Sequence, residues 1–376
     1  MGPQIFYKTS ELFLPARSCP SCPEQIEEDL SQIQYKECCS GGWLCTPFCL
    51  AGTSYKDLMP CDLAKAAFSS LSDWTGVPKE VVDYIIFGTV VLETKTSNVA
   101  REATLGSGFS YKTPAHTVTK ACISANKAMT TSLGLIASGQ YDAAIAGGAE
   151  LVSSVPIRHS RKMSLDLNKA KTLGRQLSLI SKFRLNFLLP EFSEVAEFST
   201  KQDEYVLHLH SLTKKAQDEG LLSVIVSCKV PGKGTVTKDN GIHPSSLEQM
   251  VKQKHAYIKS YGTITAANSF LTGASAMLIM AEEKDLAMCY KPKAYLRDIW
   301  YMSQDPKDLF IWVEKPRLDC LLWRSVTTEV DPCPWDTCLE ALAANRLQKE
   351  GSQYGFTAAC AAGGQDHEMI KEAYPK

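Results

Sequence analysis

The segment from Pro114 to Asn126 constrains the fold most, because an extended run leads directly into a helix built from small residues. Residues His116 to Thr119 predict a short strand, and the chain is expected to turn at Cys122 into a helix that runs to Gly139. That helix carries small side chains at Ser124, Ala125, Ala128, Ser132, Gly134 and Ala137. We therefore expect it to be thin enough to lie buried inside the protein.

Cys122 falls in the first turn of this predicted helix and has two interpretations. A thiol there lies near unpaired N–H groups and the positive end of the helix dipole, which lower its pKa and make it a nucleophile. The simpler interpretation is an ordinary buried cysteine, the usual state of a free cysteine. Position alone leaves both open.

The composition fits a soluble globular protein. The chain has 376 residues, enough for two or three domains, with 44% hydrophobic and 22% charged residues. A net charge of −1 gives no indication of nucleic-acid binding. The longest apolar runs, such as Ala274 to Ala281, are too short to span a bilayer.

The fourteen cysteines are unevenly spread, with seven before residue 62, unlike a secreted disulfide framework. Cys19 and Cys22 with the adjacent pair Cys38 and Cys39 could suggest zinc. The second pair lacks the two-residue spacer that lets both thiolates face one ion, so we expect no metal. The N-terminal segment is also too acidic for a mitochondrial presequence.

Strand and helix patterns alternate along the chain, which predicts an α/β fold with helices on the faces of a sheet. Helices are predicted at 55–72, 98–105, 203–219 and 341–350. Strands are predicted at 84–91, 143–146, 262–268, 273–280, 293–299 and 354–360, with turns at Gly147-Gly148 and Gly363-Gly364.

Residues 156–255 depart from this alternation. Basic residues are interleaved with leucine and phenylalanine between 156 and 190. A solvated insertion, a membrane-surface contact and a site for the phosphates of a nucleotide-like ligand all remain open.

Several segments of the chain resemble the thiolase family. They are Gly52 to Leu58, Thr96 to Arg101, Pro114 to Asn126, Ala146 to Glu150, Ile157 to Lys162, Lys238 to Gly241 and Cys360 to Gln365. Within the family, the mitochondrial β-subunits of trifunctional proteins are most similar. The resemblance covers about 46–309 and 341–376.

The resemblance implies the chemistry of the site. Cys122 becomes the acylated nucleophile, and Cys360 the second cysteine, which moves the α-proton of the substrate. The backbone N–H groups of Cys122 and Ala362 would form the oxyanion hole. CoA and acyl-CoA are then substrates, with no resident cofactor.

The two histidine motifs of the family, His/Asn-Glu-Ala-Phe and Gly-His-Pro-x-Gly, do not occur here. When Asp331 to Glu340 is back-translated and the reading frame is moved one nucleotide upstream, the codons can encode the family's residues that lead into the second motif. When Cys39 to Trp43 is moved one nucleotide downstream, the codons can encode the family's first strand. We hypothesise that 1–45 and 310–340 are out-of-frame parts of a truncated thiolase gene copy.

The resemblance implies a layered αβαβα fold of two similar halves, of which the C-terminal half is incomplete. We expect a disordered non-family segment at 1–45, an N-terminal half at 46–155 completed by 256–285, an insertion at 156–255, and a truncated half at 286–376.

The implied function is 3-ketoacyl-CoA thiolysis in mitochondrial fatty acid β-oxidation, impaired by the missing histidines. A non-catalytic protein that binds intact thiolase or trifunctional subunits is the alternative. Acyl-CoA, a second copy or a trifunctional α-subunit, and a membrane surface through 156–190 are the expected partners, without nucleic acid. A cytoplasmic location stays open.

Five further residues near these motifs have modest expected roles. His116 is expected to pack in its strand, His159 to be solvated, Glu150 to hold a loop and Arg101 to be structural. Lys120, beside the nucleophile, would either lower the pKa of Cys122 or disturb packing.

Overall fold

The fold was analysed in a computed structural model of the whole chain. It describes residues 37–92, 95, 96, 98–154, 161–181, 207, 210, 211, 213–220, 222–242, 246, 248, 249, 252–254, 271–303, 343–345, 347–349, 351–361 and 364–375. The predicted strand 262–268, His159, Ala362, the zinc candidates Cys19 and Cys22, and the segment 310–340 lie outside these residues.

One mixed sheet dominates the described part of the chain. Its strands are β1 (Cys38–Cys45), β2 (Cys49–Leu50), β3 (Tyr84–Gly88), β4 (Ala115–Val118), β5 (Ala143–Glu150), β8 (Leu271–Ala281), β9 (Ala294–Ser303), β10 (Tyr354–Ala361) and β11 (Gln365–Ala373). Their order is β10-β11-β9-β1-β8-β5-β3-β4, and β2 pairs with β8. The strands β3, β4 and β5 are parallel, whereas the other neighbours are antiparallel.

Helices cover both faces of this sheet. Helices α1 (Pro60–Thr75) and α2 (Val99–Gly106) share one apolar cluster with Ile85 and Phe87, whereas α3 (Ser124–Ala137) shares another with Ile86. Successive strand residues point to opposite faces, so both faces of β3 are buried. The predicted α/β class is confirmed, and the helix after the Cys122 turn is buried as its small residues predicted.

Two breaker residues set the bounds of α1. Pro60 occupies the first helical position, where its missing N–H costs nothing, and Asp62 accepts a 2.9 Å hydrogen bond from Met59 N. Gly76 ends the helix in the left-handed conformation with φ of 69°. The helix therefore begins five residues after the predicted start at Tyr55, because proline is not tolerated inside a helix.

Two local predictions are wrong. Gly147 and Gly148 do not form a turn but lie inside β5, which continues to Glu150. A Cβ at Gly147 would overlap the backbone of Ser275 on β8, so glycine is needed there for close strand approach. The expectation of disorder throughout 1–45 also fails, because β1 forms between β8 and β9 and buries Trp43.

The insertion contributes helices α4 (Arg161–Lys169) and α5 (Leu173–Ser181) and the hairpin β6 (Cys228–Val230) and β7 (Gly234–Val236). The hairpin region is fastened to the loop after β1. Asp239 Oδ1 accepts from Phe48 N, and Asn240 Oδ1 accepts from Leu50 N, both at 2.7 Å. This end of the insertion is therefore an integral part of the fold.

The C-terminal part adds a short helix, α6 (Glu282–Ala287), and the antiparallel strands β9, β11 and β10. β10 and β11 form a hairpin in which Cys360 pairs with Asp366 and Ala359 pairs with His367. β11 pairs in turn with β9, which places Tyr301 opposite His367. Cys360, the second candidate cysteine, therefore lies on β10 at the edge of the sheet.

Candidate functional site

Cys122 lies in a tight turn between β4 and α3. Strand β4 ends at Val118 and the helix begins at Ser124, so the cysteine precedes the helix by two residues instead of lying in its first turn. Ala121 has a φ of 47°, a left-handed conformation that non-glycine residues rarely adopt. Cys122 is partly exposed and is not part of a disulfide. The thiol is therefore presented on a strained turn with access to solvent.

The Ser124 side chain closes this turn. Its hydroxyl accepts a 2.7 Å hydrogen bond from Lys120 N and donates a 2.5 Å hydrogen bond to Ala121 O. Gly88, the last residue of β3, approaches so closely that a Cβ there would lie 2.5 Å from the carbonyl carbon of Ser124. Neighbouring backbone therefore fixes the position of the turn.

The carboxyl ends of β3, β4 and β5 meet at the edge of the sheet where this turn lies, and Glu150 stands at the end of β5. Its carboxylate accepts hydrogen bonds from Val90 N at 2.7 Å and Val91 N at 3.2 Å. Burial raises the pKa of Glu150 to about 7, against the opposing effect of these bonds. Glu150 therefore holds the loop after β3, as the sequence predicted.

The strand that carries Cys360 packs against the Cys122 turn. Ile123, Ala359 and Ala361 form one buried cluster, and Cys122 packs against that cluster. Ala359 and Ala361 flank Cys360 on β10, so the hairpin and the Cys122 turn are in contact. Of the predicted site residues, the fold thus brings the segments of Cys122 and Cys360 together, and Ala362 is outside the described residues.

Tyr301 on β9 packs against the same cluster and gathers two lysines. The Nζ atom of Lys120 lies 3.7 Å from the centre of the Tyr301 ring, and that of Lys127 lies 5.6 Å away. The Tyr301 hydroxyl is 2.7 Å from Thr130 Oγ1. Burial and the charge of Lys127 lower the pKa of Lys120. Lys120 therefore packs on an aromatic ring at the edge of the site.

Sequence reasoning gave His367 no role, yet this histidine is fully buried on β11 with its ring centre 4.8 Å from that of Tyr301. Neither ring nitrogen has a hydrogen-bond partner among the residues that the structure describes. Burial, with Lys120 and Lys127, lowers the pKa of His367 to about 3. His367 follows the Gly-rich turn, and a hairpin at that turn would pair it with residues next to Cys360. This position was the sequence signal that could have placed His367 near the site.

Asp366, the neighbour of His367 on β11, was missed as well. It is almost fully buried, and within the described part of the chain neither carboxyl oxygen has a hydrogen-bond partner. Burial, followed by the charge of Glu368, raises its pKa to about 6. It pairs in register with Cys360 and therefore places an ionisable group next to the second cysteine along the hairpin.

His116 and Arg101 take the structural roles predicted for them. His116 is half-buried on β4, with Nδ1 3.1 Å from the Tyr84 hydroxyl. The Arg101 guanidinium donates to Thr113 O at 2.7 Å and to Tyr111 O at 2.8 Å. Both side chains bind groups of the surrounding framework.

Among the described residues, no group of three or more histidine, cysteine, aspartate or glutamate side chains could hold a metal ion. Cys38, one of the zinc candidates, is buried in β1, and its Sγ lies 3.9 Å from Leu133 O. No helix among these residues is long and apolar enough to cross a membrane.

Comparison with known proteins identifies the family. The sequence profile described as "Thiolase, N-terminal domain" matches residues 43–283, more than half of the chain. The chain belongs to the thiolase family. It is 54% identical to the mitochondrial trifunctional enzyme subunit beta of Homo sapiens over 442 positions, which cover 96% of this chain and 93% of that protein. It is 39% identical to a probable 3-ketoacyl-CoA thiolase of Caenorhabditis elegans, over 88% of this chain and 93% of that protein.

This thiolase is shorter than the human subunit over the region in which the two sequences match. The match to the human subunit extends over 442 positions, whereas this chain has 376 residues, so at least 66 positions of the relative have no counterpart here. The human subunit therefore contains segments that this chain lacks.

Solved structures agree with the fold. The chain superposes on human mitochondrial 3-ketoacyl-CoA thiolase in complex with CoA with a TM-score of 0.74 and 22% identity, over 90% of this chain and 98% of that one. The acetyl-CoA acetyltransferase of Bacillus anthracis gives a TM-score of 0.71 and 20% identity, over 91% and 100% of the two chains. The layered α/β thiolase fold is therefore confirmed.

Proposed function

We propose that this thiolase carries out the acyl-transfer half-reaction of 3-ketoacyl-CoA thiolysis at Cys122 and completes the cycle slowly. The observation that carries the proposal is the buried cluster of Ile123, Ala359 and Ala361, which joins the Cys122 turn to the strand of Cys360. The names of the relatives, which include 3-ketoacyl-CoA thiolase, supply the substrate class.

In the proposed reaction, the thiolate of Cys122 attacks the 3-keto carbon of the substrate. The bond between C2 and C3 breaks, the acyl group stays on the sulfur, and acetyl-CoA leaves as an enolate that takes a proton from Cys360. The backbone N–H groups of Cys122 and Ala362 stabilise the negative charge that develops on oxygen. A CoA thiol gives its proton to the Cys360 thiolate and attacks the thioester, which transfers the acyl group to CoA and frees Cys122 as a thiolate for the next cycle.

The slow turnover follows from the histidines. Neither family histidine motif occurs in the sequence, and His116 is paired with Tyr84. His367 is near the site, but its nitrogens make no hydrogen bond to any described residue, and a pKa of about 3 makes it a weak base. General acid–base catalysis contributes about 10²–10⁴-fold, so we expect a loss of this order in kcat.

Acylation and turnover are measured separately to test this proposal. The full chain is incubated with a long-chain 3-ketoacyl-CoA, and the mass of the Cys122 peptide is followed with and without added CoA. We expect an acyl adduct that forms with substrate, is absent in Cys122→Ala and is released slowly by CoA. Release as fast as in an intact trifunctional β-subunit would contradict the impairment, and no adduct would contradict the half-reaction.

A non-catalytic role in binding intact subunits is the second candidate, because the relatives are named as subunits of a trifunctional enzyme. A tagged chain carrying Cys122→Ala should then co-purify with intact β-subunits or with a trifunctional α-subunit at a fixed stoichiometry. A monomer that elutes alone after mixing with both subunits contradicts this role. Homo-oligomers of the chain are detected in the same experiment.

A membrane contact is favoured by the surface of α4 and α5. Leu165, Leu173 and Leu177 are exposed by 47%, 72% and 58%, and basic residues lie beside them, including Lys171 and Arg175. Apolar and basic side chains together bind anionic lipid surfaces. In a flotation assay, the chain should float together with vesicles that contain anionic lipid, and Leu173→Glu should reduce the fraction of protein that floats. Leu286→Glu on α6, where Leu286 is 52% exposed, is the control that should change nothing.

We place the protein in mitochondria because its relatives carry that location in their names. Fractionation of cells that express the chain with a C-terminal tag tests this location. Recovery of the tag in the cytosol alone contradicts it.

A further inference from the structure

Two lysines next to the nucleophile share one aromatic ring. Lys120 lies two residues before Cys122, Lys127 lies on the first turn of α3, and the Nζ atoms are 3.7 Å and 5.6 Å from the centre of the Tyr301 ring. Both ammonium groups gain cation–π attraction, yet they also repel each other across the same ring. This arrangement concentrates positive charge at one place.

No acidic side chain offsets this charge among the described residues. The ion pairs there involve Lys214, Lys215, Lys233 and Arg297, and neither Lys120 nor Lys127 takes part in one. His367 lies beneath the ring, and both lysines lower its pKa. The effect reaches a fully buried side chain, so the local potential is positive inside the protein as well as at its surface.

Tyr301, which carries the positive cluster, and Cys122 border one small apolar cluster. Tyr301 and Cys122 pack against the same buried residues, Ile123, Ala359 and Ala361. An anionic group that approaches Cys122 therefore enters the field of both ammonium groups. The phosphates of CoA are separated from the thioester by the whole pantetheine arm, so they cannot occupy a position beside the acylated sulfur. The acyl group is the part of the substrate that can.

We propose that Lys120 and Lys127, presented on Tyr301, form a subsite for a carboxylate at the far end of a short acyl group. The subsite rests on the proposed acyl-CoA function and names its preferred substrate class, the CoA thioesters of dicarboxylic acids. A terminal carboxylate pairs with an ammonium group there, whereas a terminal methyl group leaves both charges unpaired.

Binding of two matched thioesters tests the subsite without catalysis. The full chain carrying Cys122→Ala is titrated with succinyl-CoA and with butyryl-CoA, which share four acyl carbons and all phosphates and differ in a carboxylate against a methyl group. Any difference in Kd therefore arises from the acyl end. We expect succinyl-CoA to bind about fivefold more tightly at low salt, as a partly exposed ion pair gives, with less preference as salt increases.

Lysine variants in the same Cys122→Ala background separate this subsite from general charge effects. Lys120→Met should abolish the preference, Lys127→Met should reduce it, and Lys120→Arg should retain it. Lys112→Met removes an exposed lysine of the loop before β4 and should leave the preference unchanged. Equal Kd values for both esters, or a preference that survives both methionine variants, would overturn the subsite alone. If neither ester binds while the parent chain still forms the Cys122 adduct with a long-chain 3-ketoacyl-CoA, the subsite alone is overturned. If neither ester binds and no adduct forms, the acyl-CoA function and the subsite are overturned together.

Discussion

Two regions meet at Cys122, and they differ in how their buried polar groups are satisfied. At the carboxyl edge of β3, β4 and β5, polar side chains hold backbone groups in place. Glu150 accepts from two N–H groups of the loop after β3, and Asp83 Oδ2 accepts from Asp142 N and Ala143 N at 2.9 and 3.0 Å. Buried groups with partners stabilise the fold around the nucleophile.

The sheet of β9, β11 and β10 on the other side buries ionisable groups with less support. Among the described residues, neither the carboxyl oxygens of Asp366 nor the ring nitrogens of His367 have a hydrogen-bond partner. Lys371 is 1% exposed, its Nζ donates a 3.5 Å hydrogen bond to Thr357 Oγ1, and burial lowers its pKa well below the usual range. Each such group costs free energy that strand pairing must offset.

This difference concerns how each region responds to the loss of a polar side chain. The edge of the sheet beside the Cys122 turn is held by hydrogen bonds to the buried carboxylate of Glu150, whereas the C-terminal sheet buries Asp366 and His367 without such bonds among the described residues. Removal of a polar side chain should therefore have opposite effects in the two regions, destabilising the first and stabilising the second.

Glu150→Ala should give the largest effect. It leaves Val90 N and Val91 N without their acceptor in a buried place, and each lost partner costs about 1–3 kcal/mol, so the free energy of unfolding should fall by about 2–5 kcal/mol. Glu150→Gln retains one acceptor oxygen and should cost less than half as much. Urea unfolding measures both. An unchanged midpoint in Glu150→Ala would remove the contrast between the regions.

Lys371→Met should act in the opposite direction. Methionine keeps the length of the side chain and removes the buried amine, and replacing buried charged groups by apolar ones stabilises proteins by up to about 1–4 kcal/mol. The gain should be present at neutral pH and shrink as the pH rises, disappearing above about 10.4, where the amine is neutral in the unfolded chain too. Lys112→Met, at an exposed position, is the control and should leave stability unchanged.

Much of the fold could be predicted from patterns that are local in the sequence. Alternating elements and the small residues of α3 predicted the α/β layers, and Pro60 and Gly76 explain the bounds of α1. The Gly147-Gly148 pair was misread as a turn, because its glycines serve the close approach of β8, which lies more than a hundred residues away. Strand β1 was missed because its burial depends on β8 and β9, and not on its own pattern.

Residues of the candidate site could be predicted where they lie in a sequence motif. They could not be predicted where only the pairing of distant strands brings them to the site. Cys122 and Cys360 were predicted from their motifs, and the segments that carry them lie in contact; their catalytic roles stay predictions. Tyr301 and Asp366 carry no motif and reach the site only through the register of β9, β11 and β10. The position of Lys120 beside Cys122 was noted from the sequence. Its contact with Tyr301 could not be predicted, because that contact depends on where β9 lies in the sheet.

Asp366→Ala should stabilise the protein by about 1–3 kcal/mol at pH 7.5, because an ionised carboxylate no longer has to be buried without partners. The pKa of Asp366 is about 6 in the folded chain and about 4 when unfolded. A raised pKa means that its ionisation penalty is absent below about pH 4 and grows as the pH rises through 6.

The difference in stability between Asp366→Ala and the parent should therefore disappear near pH 4 and be complete above pH 7. Thermal unfolding across this range measures it. Asp73→Ala, at an exposed position of α1, should show no such pH-dependent gain. A gain for Asp366→Ala that is independent of pH would mean that the carboxyl group has the same pKa in the folded and in the unfolded protein.

Arg101→Met should produce the smallest change, and it tests whether the first region is held together by polar contacts at its periphery too. The guanidinium donates to Thr113 O and Tyr111 O, and it is partly exposed, so we expect a loss of about 0.5–1.5 kcal/mol. Faster hydrogen exchange should be confined to the loop that precedes β4. Arg101→Lys can reach only one carbonyl at a time and should recover part of the loss. If exchange accelerates equally in β10 and β11, the two regions unfold as one cooperative unit. They would then differ in the energetics of their buried polar groups, but they would not unfold separately.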